Sequence, residues 1–300
     1  MLYRLGKTSL LRLEGRESLD LLHRISTNAL ATLPAGGVAW TLFVTDKGRL
    51  IDHCLVLAGD AGAMILCSPG AAAVVRSWIE KFVIMEDVTV TEEEAGEHVV
   101  ALGGPRDLPF GGEFPEPGRW RTAAPGGVGV LAARAPFFGL DRTDLVVPGS
   151  ALPPVDTSSG GAAGTRDFAA WEEFRIERLI PAFGAEIVDR YNPFEVGLAA
   201  AVSLTKGCYV GQEVIARLDT YRKVQREPAG VVLTRGVPSD RLPLALMRDA
   251  EEVGVLTSCV AGGGGGGARG IAVLRRGSAR IGDLLTVVAS GEPAEVVAHL

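Results

Sequence analysis

The chain has 300 residues, 47% hydrophobic and 22% charged, with a formal net charge of −6 and a pI near 5.4. That acidic balance argues against a general nucleic-acid or membrane-surface binder, which presents a basic field to phosphates. The length suits two or three packed units, and the apolar runs fall far short of the ~18 residues needed to span a bilayer. The start, Met-Leu-Tyr-Arg-Leu-Gly-Lys, lacks the apolar core of a secretory signal, so the cytoplasm is the expected compartment.

Leu2 to Leu13 alternates loosely and reads as a strand broken at Gly15. Ser18 to Leu30 then places Leu19, Leu22, Ile25 and Ala29 on one helical face. Val38 to Val44, Leu50 to Leu57 and Ala63 to Cys67 are apolar runs separated by turn residues, the pattern of antiparallel strands joined by hairpins. Ser68-Pro69 opens a helix that carries Val74, Val75, Trp78, Ile79 and Phe82. Strand character resumes at Val88 to Val90 and His98 to Leu102.

Residues 103–127 and 148–166 are rich in Gly and Pro and read as loops or connections. Phe168, Trp171, Phe174, Ile176 and Leu179 suit a helix ended by Pro181. From Arg226 onward, short apolar stretches alternate with turns, as in a small β-barrel or sandwich. The glycines from Gly262 to Gly267 lack the following Lys-Ser or Lys-Thr of a phosphate loop and read as a hairpin tip.

Four cysteines, Cys54, Cys67, Cys208 and Cys259, include no C-x-x-C pair, so neither a zinc ribbon nor a ferredoxin-type site is written here and no metal site is assigned. Cys54, Cys67 and Cys259 sit in apolar stretches and read as small core residues. Cys208 differs. It lies in Lys206-Gly-Cys-Tyr-Val-Gly-Gln-Glu-Val-Ile-Ala-Arg217, between two glycines that admit positive φ and two residues after a lysine. The residues after Gly211 suit either a helix start or a short strand. Arg217, Arg222, Lys223 and Arg226 follow closely and form either a seat for an anion such as a glutamate tail or a solvated basic edge.

This dodecapeptide resembles the signature of the YgfZ family of folate-binding proteins, relatives of the glycine-cleavage T-protein (aminomethyltransferase). Other segments extend the resemblance in order: Leu13-Glu-Gly-Arg-Glu-Ser18 with Ser26-Thr-Asn28, Thr45-Asp-Lys-Gly-Arg-Leu-Ile-Asp52, Arg175-Ile-Glu-Arg-Leu-Ile-Pro181 and Asn192-Pro-Phe-Glu-Val-Gly-Leu198. The resemblance implies an α+β protein with the T-protein-like folate-binding fold: two interleaved α+β subdomains over residues 1–225 and a C-terminal β-barrel over 226–300. It implies tetrahydrofolate, or a related reduced folate, as cofactor, with Glu195 gripping the pterin and Arg175, Glu177, Lys206, Tyr209, Gln212, Glu213 and Arg217 contributing to its site. Cys208 becomes the reactive thiol. The implied role is an accessory factor in iron–sulfur cluster assembly or repair, with cluster-containing client enzymes or assembly proteins as partners. The alternative is a folate-dependent aminomethyltransferase or other one-carbon transferase.

Overall fold

The computed structural model describes residues 1–103, 115–123, 129–148, 165–221, 223–262, 267–288 and 290–300. Arg222, residues 263–266 of the glycine run and much of the two breaker-rich stretches lie outside the described residues. The chain divides into two compact units. The first comprises Met1–Val44, Ile51–Trp171 and Ser203–Val210, and the second comprises Thr45–Leu50, Glu172–Val202 and Gly211–Leu300.

The first unit is built on β1 (Leu2–Glu14), β2 (Val38–Val44), β3 (Leu50–Ala58), β4 (Gly62–Leu66), β5 (Thr89–Leu102), β6 (Arg119–Ala123), β7 (Val130–Arg134), β8 (Arg142–Val147) and the short β9 (Thr165–Arg166). They form one sheet in the order β2-β3-β4-β1-β5-β8-β7-β6, with β9 beside β1. The long β1 strand pairs antiparallel with β4 on one side and β5 on the other, so its inward positions, including Leu11 and Leu13, are sealed from water. The two outer strands also approach each other. Val38 N donates to Gly118 O, Trp120 N donates to Gly36 O, and Gly37 bridges to Arg119. Gly15, where the first strand was expected to break, has φ +119, and a Cβ there would stand 1.8 Å from Asp87 O. Only glycine permits that crossing.

Helices α1 (Ser18–Ile25) and α2 (Ala72–Glu80) belong to this unit. Each is shorter than the apolar spacing suggested. In α1 the buried side chains are Ser18, Leu21, Leu22 and Ile25, so Leu21 replaces Leu19 on the core face and Ala29 lies outside the helix. The Ser26 hydroxyl donates to Leu22 O at 2.7 Å and helps end the helix there. In α2 the start moves from Ser68-Pro69 to Ala72, because Gly70 takes φ +83 and turns the chain first.

The second unit contains α3's C-terminal part (α3, Phe168–Glu177), α4 (Gln212–Thr220) and six strands: β10 (Arg226–Leu233), β11 (Leu244–Arg248), β12 (Glu251–Ala261), β13 (Ala268–Arg275), β14 (Leu284–Val287) and β15 (Pro293–His299). These strands close into a barrel in the order β10-β13-β12-β11-β14-β15. Closure pairs the edges that an open sheet would expose. Val231, Leu233, Leu246, Leu256, Leu274 and Val296 fill its interior, matching the alternation of short apolar stretches and turns in the sequence.

Among the described residues, no helix is long and apolar enough to cross a membrane.

Candidate active-site loop and ligand-binding groups

The loop that carries Cys208 is anchored to the end of α1 by its backbone and by one side chain. Ser203 N donates to Thr27 O at 2.9 Å, and Val210 N donates to Arg24 O at 3.1 Å. Between them, the Lys206 ammonium donates to the carbonyls of His23, Ser26 (2.6 Å) and Asn28 (2.7 Å). A helix leaves its last carbonyls without intrahelical partners and carries partial negative charge at that end. A lysine about 180 residues downstream satisfies both needs at once. Burial lowers its pKa to about 8, and the Tyr209 ring lies 5.0 Å from its nitrogen.

All three ammonium protons are directed at carbonyls, and the charge serves the loop's attachment. Gly207 (φ +98) and Gly211 (φ +83) supply the left-handed turns on either side of Cys208. The choice left open by the sequence is resolved in favour of a helix, which begins at Gln212. Cys208 itself is exposed, whereas Cys54 and Cys67 are buried and Cys259 is intermediate. The arrangement presents one accessible thiol on a stapled loop. Tyr209 next to it is buried, its hydroxyl has no hydrogen-bond partner among the described residues, and burial raises its pKa to about 12.

In the second unit, Glu195 is 2% exposed and sits in a short 3-10 turn, Pro193–Val196. Asn192 caps that turn: its side chain accepts from Phe194 N and Glu195 N, and Glu195 Oε2 accepts from Asn192 N at 3.2 Å. This reciprocal pair is a capping box. Arg226 Nη1 donates to Glu195 Oε1 at 3.1 Å, and Arg49 Nη1 stands 3.6 Å from Oε2. Arg49 is fixed in turn by a 2.9 Å bond to Arg190 O, while Leu50 N donates to Tyr191 O. Glu195 is therefore a buried carboxylate balanced by two arginines. Of roughly four acceptor positions on its two oxygens, two accept hydrogen bonds, from Asn192 N and Arg226 Nη1, and the side chain of Arg226 is 35% exposed.

Arg226 also lines a cleft of about 400 Å³ in this unit, together with Arg190, Gln225, Glu252, Arg275 and Arg276. Of these arginines, Arg226 pairs with Glu195, Arg275 with Glu251 and Arg276 with Glu227, so much of the cleft's positive charge is balanced by carboxylates. The basic cluster anticipated in the sequence is thus assembled differently: Arg226 contributes, but its companions come from residue 190 and from the end of β13. Lone arginines distant in sequence give no such signal.

Arg175 and Glu177 occupy structural positions. Arg175 is buried and donates from Nε and Nη2 to Glu172 (2.6 and 2.5 Å), from Nη2 to Ser258 Oγ (3.0 Å), and from Nη1 to Ile180 O and Glu186 Oε2 (3.4 and 3.5 Å). Glu186 also accepts from Thr257 and Ser258 of the barrel. With its donors engaged inside this network, Arg175 joins α3 to the barrel. Glu177 pairs with Arg269 at the surface. Gln212 opens α4, and Glu213 and Arg217 are exposed and form an i,i+4 pair at 3.8 Å along that helix. Such a pair contributes little to stability.

A third cluster, in the first unit, was not legible as a site. Trp40, His53 and Phe137 pack with ring centroids 4.8 to 5.4 Å apart, and Arg142 lies over Phe137 (4.5 Å), Trp40 (5.0 Å) and Trp171 (5.6 Å). Asp144 holds Arg142 through a pair of guanidinium bonds and accepts from or shares a proton with His98 at 2.7 Å. Burial alone would raise the Asp144 pKa, but Arg142 and His98 outweigh it and bring it down to about 2. Burial, aided by Arg142, lowers His53 to about 3, so its ring is neutral at ordinary pH. Its Nε2 and the Trp40 Nε1 have no hydrogen-bond partner among the described residues.

Comparison with known proteins gives a consistent class. The chain is 30% identical over 286 residues to a chloroplastic transferase-like protein of Arabidopsis thaliana, and the match covers 92% of this chain and 66% of that protein. It is 25% identical over 287 residues to the aminomethyltransferase of Symbiobacterium thermophilum, covering 81% of this chain and 70% of the relative. For the aminomethyltransferase of Thermotoga maritima the identity is 26% over 297 residues, covering 93% and 79%. No protein-family model matches the chain. Its homologues are therefore aminomethyltransferases and proteins like them. Among solved structures, the glycine cleavage system aminomethyltransferase T of Bartonella henselae matches with a TM-score of 0.77 at 16% identity, covering 100% of this chain and 85% of that one. The fold is that of the T protein, as the sequence resemblance implied.

Proposed function

We propose that the chain binds tetrahydrofolate or a related reduced folate and presents the Cys208 thiol in support of iron–sulfur cluster assembly or repair in client enzymes, as a YgfZ-type accessory factor. The observation that carries the reading is the Cys208 loop. An accessible thiol, flanked by two left-handed glycines and anchored by Lys206 to the end of α1, is a fixed presentation of a nucleophile rather than core packing. The folate reading rests on the second unit. A pterin offers a ring N–H beside an exocyclic amine, which a buried carboxylate accepts as a charge-assisted pair. Glu195 is such a carboxylate, with a position vacated if Arg226 turns toward the neighbouring cleft. The arginines of that cleft suit the carboxylates of a folate tail. When bound, the reduced folate would supply a one-carbon carrier or reductant, while this chain's residues hold and orient it.

Calorimetry with tetrahydrofolate tests the ligand. Glu195→Ala removes one charge-assisted contact, and a loss of about 1.5–3 kcal/mol corresponds to binding roughly 10- to 150-fold weaker. An unchanged affinity takes Glu195 out of the ligand site.

The names of the relatives favour a second reading, a folate-dependent aminomethyl or one-carbon transferase. Turnover of an aminomethyl-lipoyl carrier would support it. That activity should survive Cys208→Ser, whereas the accessory role should not.

A further inference from the structure

Asp52, Cys54 and Cys67 meet inside the first unit in an arrangement that core packing alone does not explain. The hairpin between β3 and β4 fixes the geometry. Gly59 N donates to Gly62 O across the turn, and the register runs outward through Ala58↔Ala63 and Leu57↔Met64 to Leu55↔Leu66. Hydrogen-bonded and non-hydrogen-bonded pairs alternate along an antiparallel ladder. Counting from Gly59 and Gly62, the next step brings Cys54 and Cys67 opposite each other at a non-hydrogen-bonded position, the closer of the two kinds. The two-residue period of β3 puts Asp52 on the same face as Cys54.

The side chains then converge. One carboxylate oxygen and the two sulfurs all lie within 4.8 Å of one another, and the three residues are at most 2% exposed. The Cys54 thiol donates to Asp52 Oδ2 at 3.1 Å, and Ser68 N donates to the same oxygen at 2.9 Å. Asp52 Oδ1, equally buried, has no hydrogen-bond partner among the described residues. A buried carboxylate oxygen left without a partner is costly unless something absent from the protein itself satisfies it. Burial opposes ionisation of Asp52, against hydrogen bonds from Ser68 and the Cys54 thiol that favour it, and burial, Cys67 and Asp52 all oppose ionisation of Cys54. A cation among them would offset the burial of all three groups and the mutual repulsion of their charges.

We propose that Asp52, Cys54 and Cys67 form a binding site for a thiophilic divalent ion, Zn²⁺ being the best match, in the interior of the first unit. Two thiolates and one carboxylate, with a water as fourth ligand, are a donor set that Zn²⁺ accepts, with Zn–S about 2.3 Å and Zn–O about 2.0–2.2 Å. Tetrahedral angles at those lengths separate the donor atoms by about 3.4–3.8 Å, so small rotamer adjustments suffice. Each thiol, and the carboxyl if protonated, releases its proton to solvent as the ion binds, so affinity rises with pH. The ladder ends at Leu66, leaving Cys67 and Ser68 beyond the strand.

The test is a Co²⁺ titration of the full chain, reduced and carrying Cys208→Ser and Cys259→Ser so that only this pair of thiols remains. The expected result is one Co²⁺ per chain, with a thiolate-to-cobalt charge-transfer band and the intense ligand-field bands of tetrahedral coordination, both erased by Zn²⁺. Cys67→Ser should roughly halve the charge-transfer band, and Asp52→Asn should keep the band yet weaken Co²⁺ by at least about tenfold. Where a variant does not fold, X-ray absorption of the Zn²⁺-loaded chain with Asp52, Cys54 and Cys67 intact reads the ligand shell directly, two sulfurs with lighter atoms. No charge-transfer band, even after refolding with Co²⁺, overturns the proposal. So does a zinc shell without sulfur, or a Cys54–Cys67 disulfide as the state of the chain purified without reductant.

Discussion

Replacing Lys206 by Met keeps the aliphatic stem and removes the three ammonium contacts to His23, Ser26 and Asn28. Hydrogen bonds to a charged group are worth about 1.5–3 kcal/mol each, and three independent ones would sum to about 4.5–9 kcal/mol. They are not independent, since one nitrogen makes all three and water can reach part of the site, so a destabilisation of about 2–4 kcal/mol is expected. At about 2–4 °C per kcal/mol for a unit of this size, melting should fall by roughly 4–15 °C. Lys206→Arg should recover only part of this, because a planar guanidinium does not reproduce a three-carbonyl cradle. Denaturant unfolding and calorimetry measure both variants. A Lys206→Met chain within about 0.5 kcal/mol of the parent, the range of ordinary surface changes, would refute the reasoning that this lysine caps α1 and holds the Cys208 loop.

His53 makes the fold acid-sensitive. Its folded pKa, about 3, lies below the unfolded value of 6.5, so its contribution is fully present above pH 6.5 and is lost as pH falls toward 3. The difference between the two values is worth on the order of 5 kcal/mol. His53→Phe should flatten the decline in melting temperature between pH 6.5 and 4, whereas Asp144, with its pKa near 2, acts only in stronger acid; an equally steep decline in the variant would contradict this. Iodoacetamide followed by peptide mass spectrometry should label Cys208 first, with Cys54 and Cys67 protected until unfolding. Equal labelling of the buried pair in the native chain would show that the first unit opens readily.

The fold was legible because local patterns carried it. Alternation over Leu2 to Leu13, the hairpin turns between Val38 and Cys67, and the turn-rich run after Arg226 correspond to β1, to β2 through β4 and to the closed barrel. The candidate site was legible to the extent that its residues are contiguous. Cys208 and its glycines stand together in sequence, and its exposure follows their turns. What stayed hidden depends on contacts between distant segments. The early end of α1 is tied to a lysine at 206. Arg175 has its donors taken by Glu172, Glu186 and Ser258, a network that no spacing within α3 announces. Cys54 and Cys67 read correctly as buried residues, but only strand register sets them face to face beside Asp52. His53 was equally silent, because a histidine in an apolar strand reveals neither its ring partners nor its unpaired nitrogen.

The most direct measurement compares the parent chain with Cys208→Ser in cells that lack the corresponding native gene, reading the activity of an iron–sulfur enzyme at matched levels of folded protein. Restoration by the parent and failure of the serine variant is the predicted outcome. Full restoration by Cys208→Ser would contradict the claim that this exposed sulfur does the work.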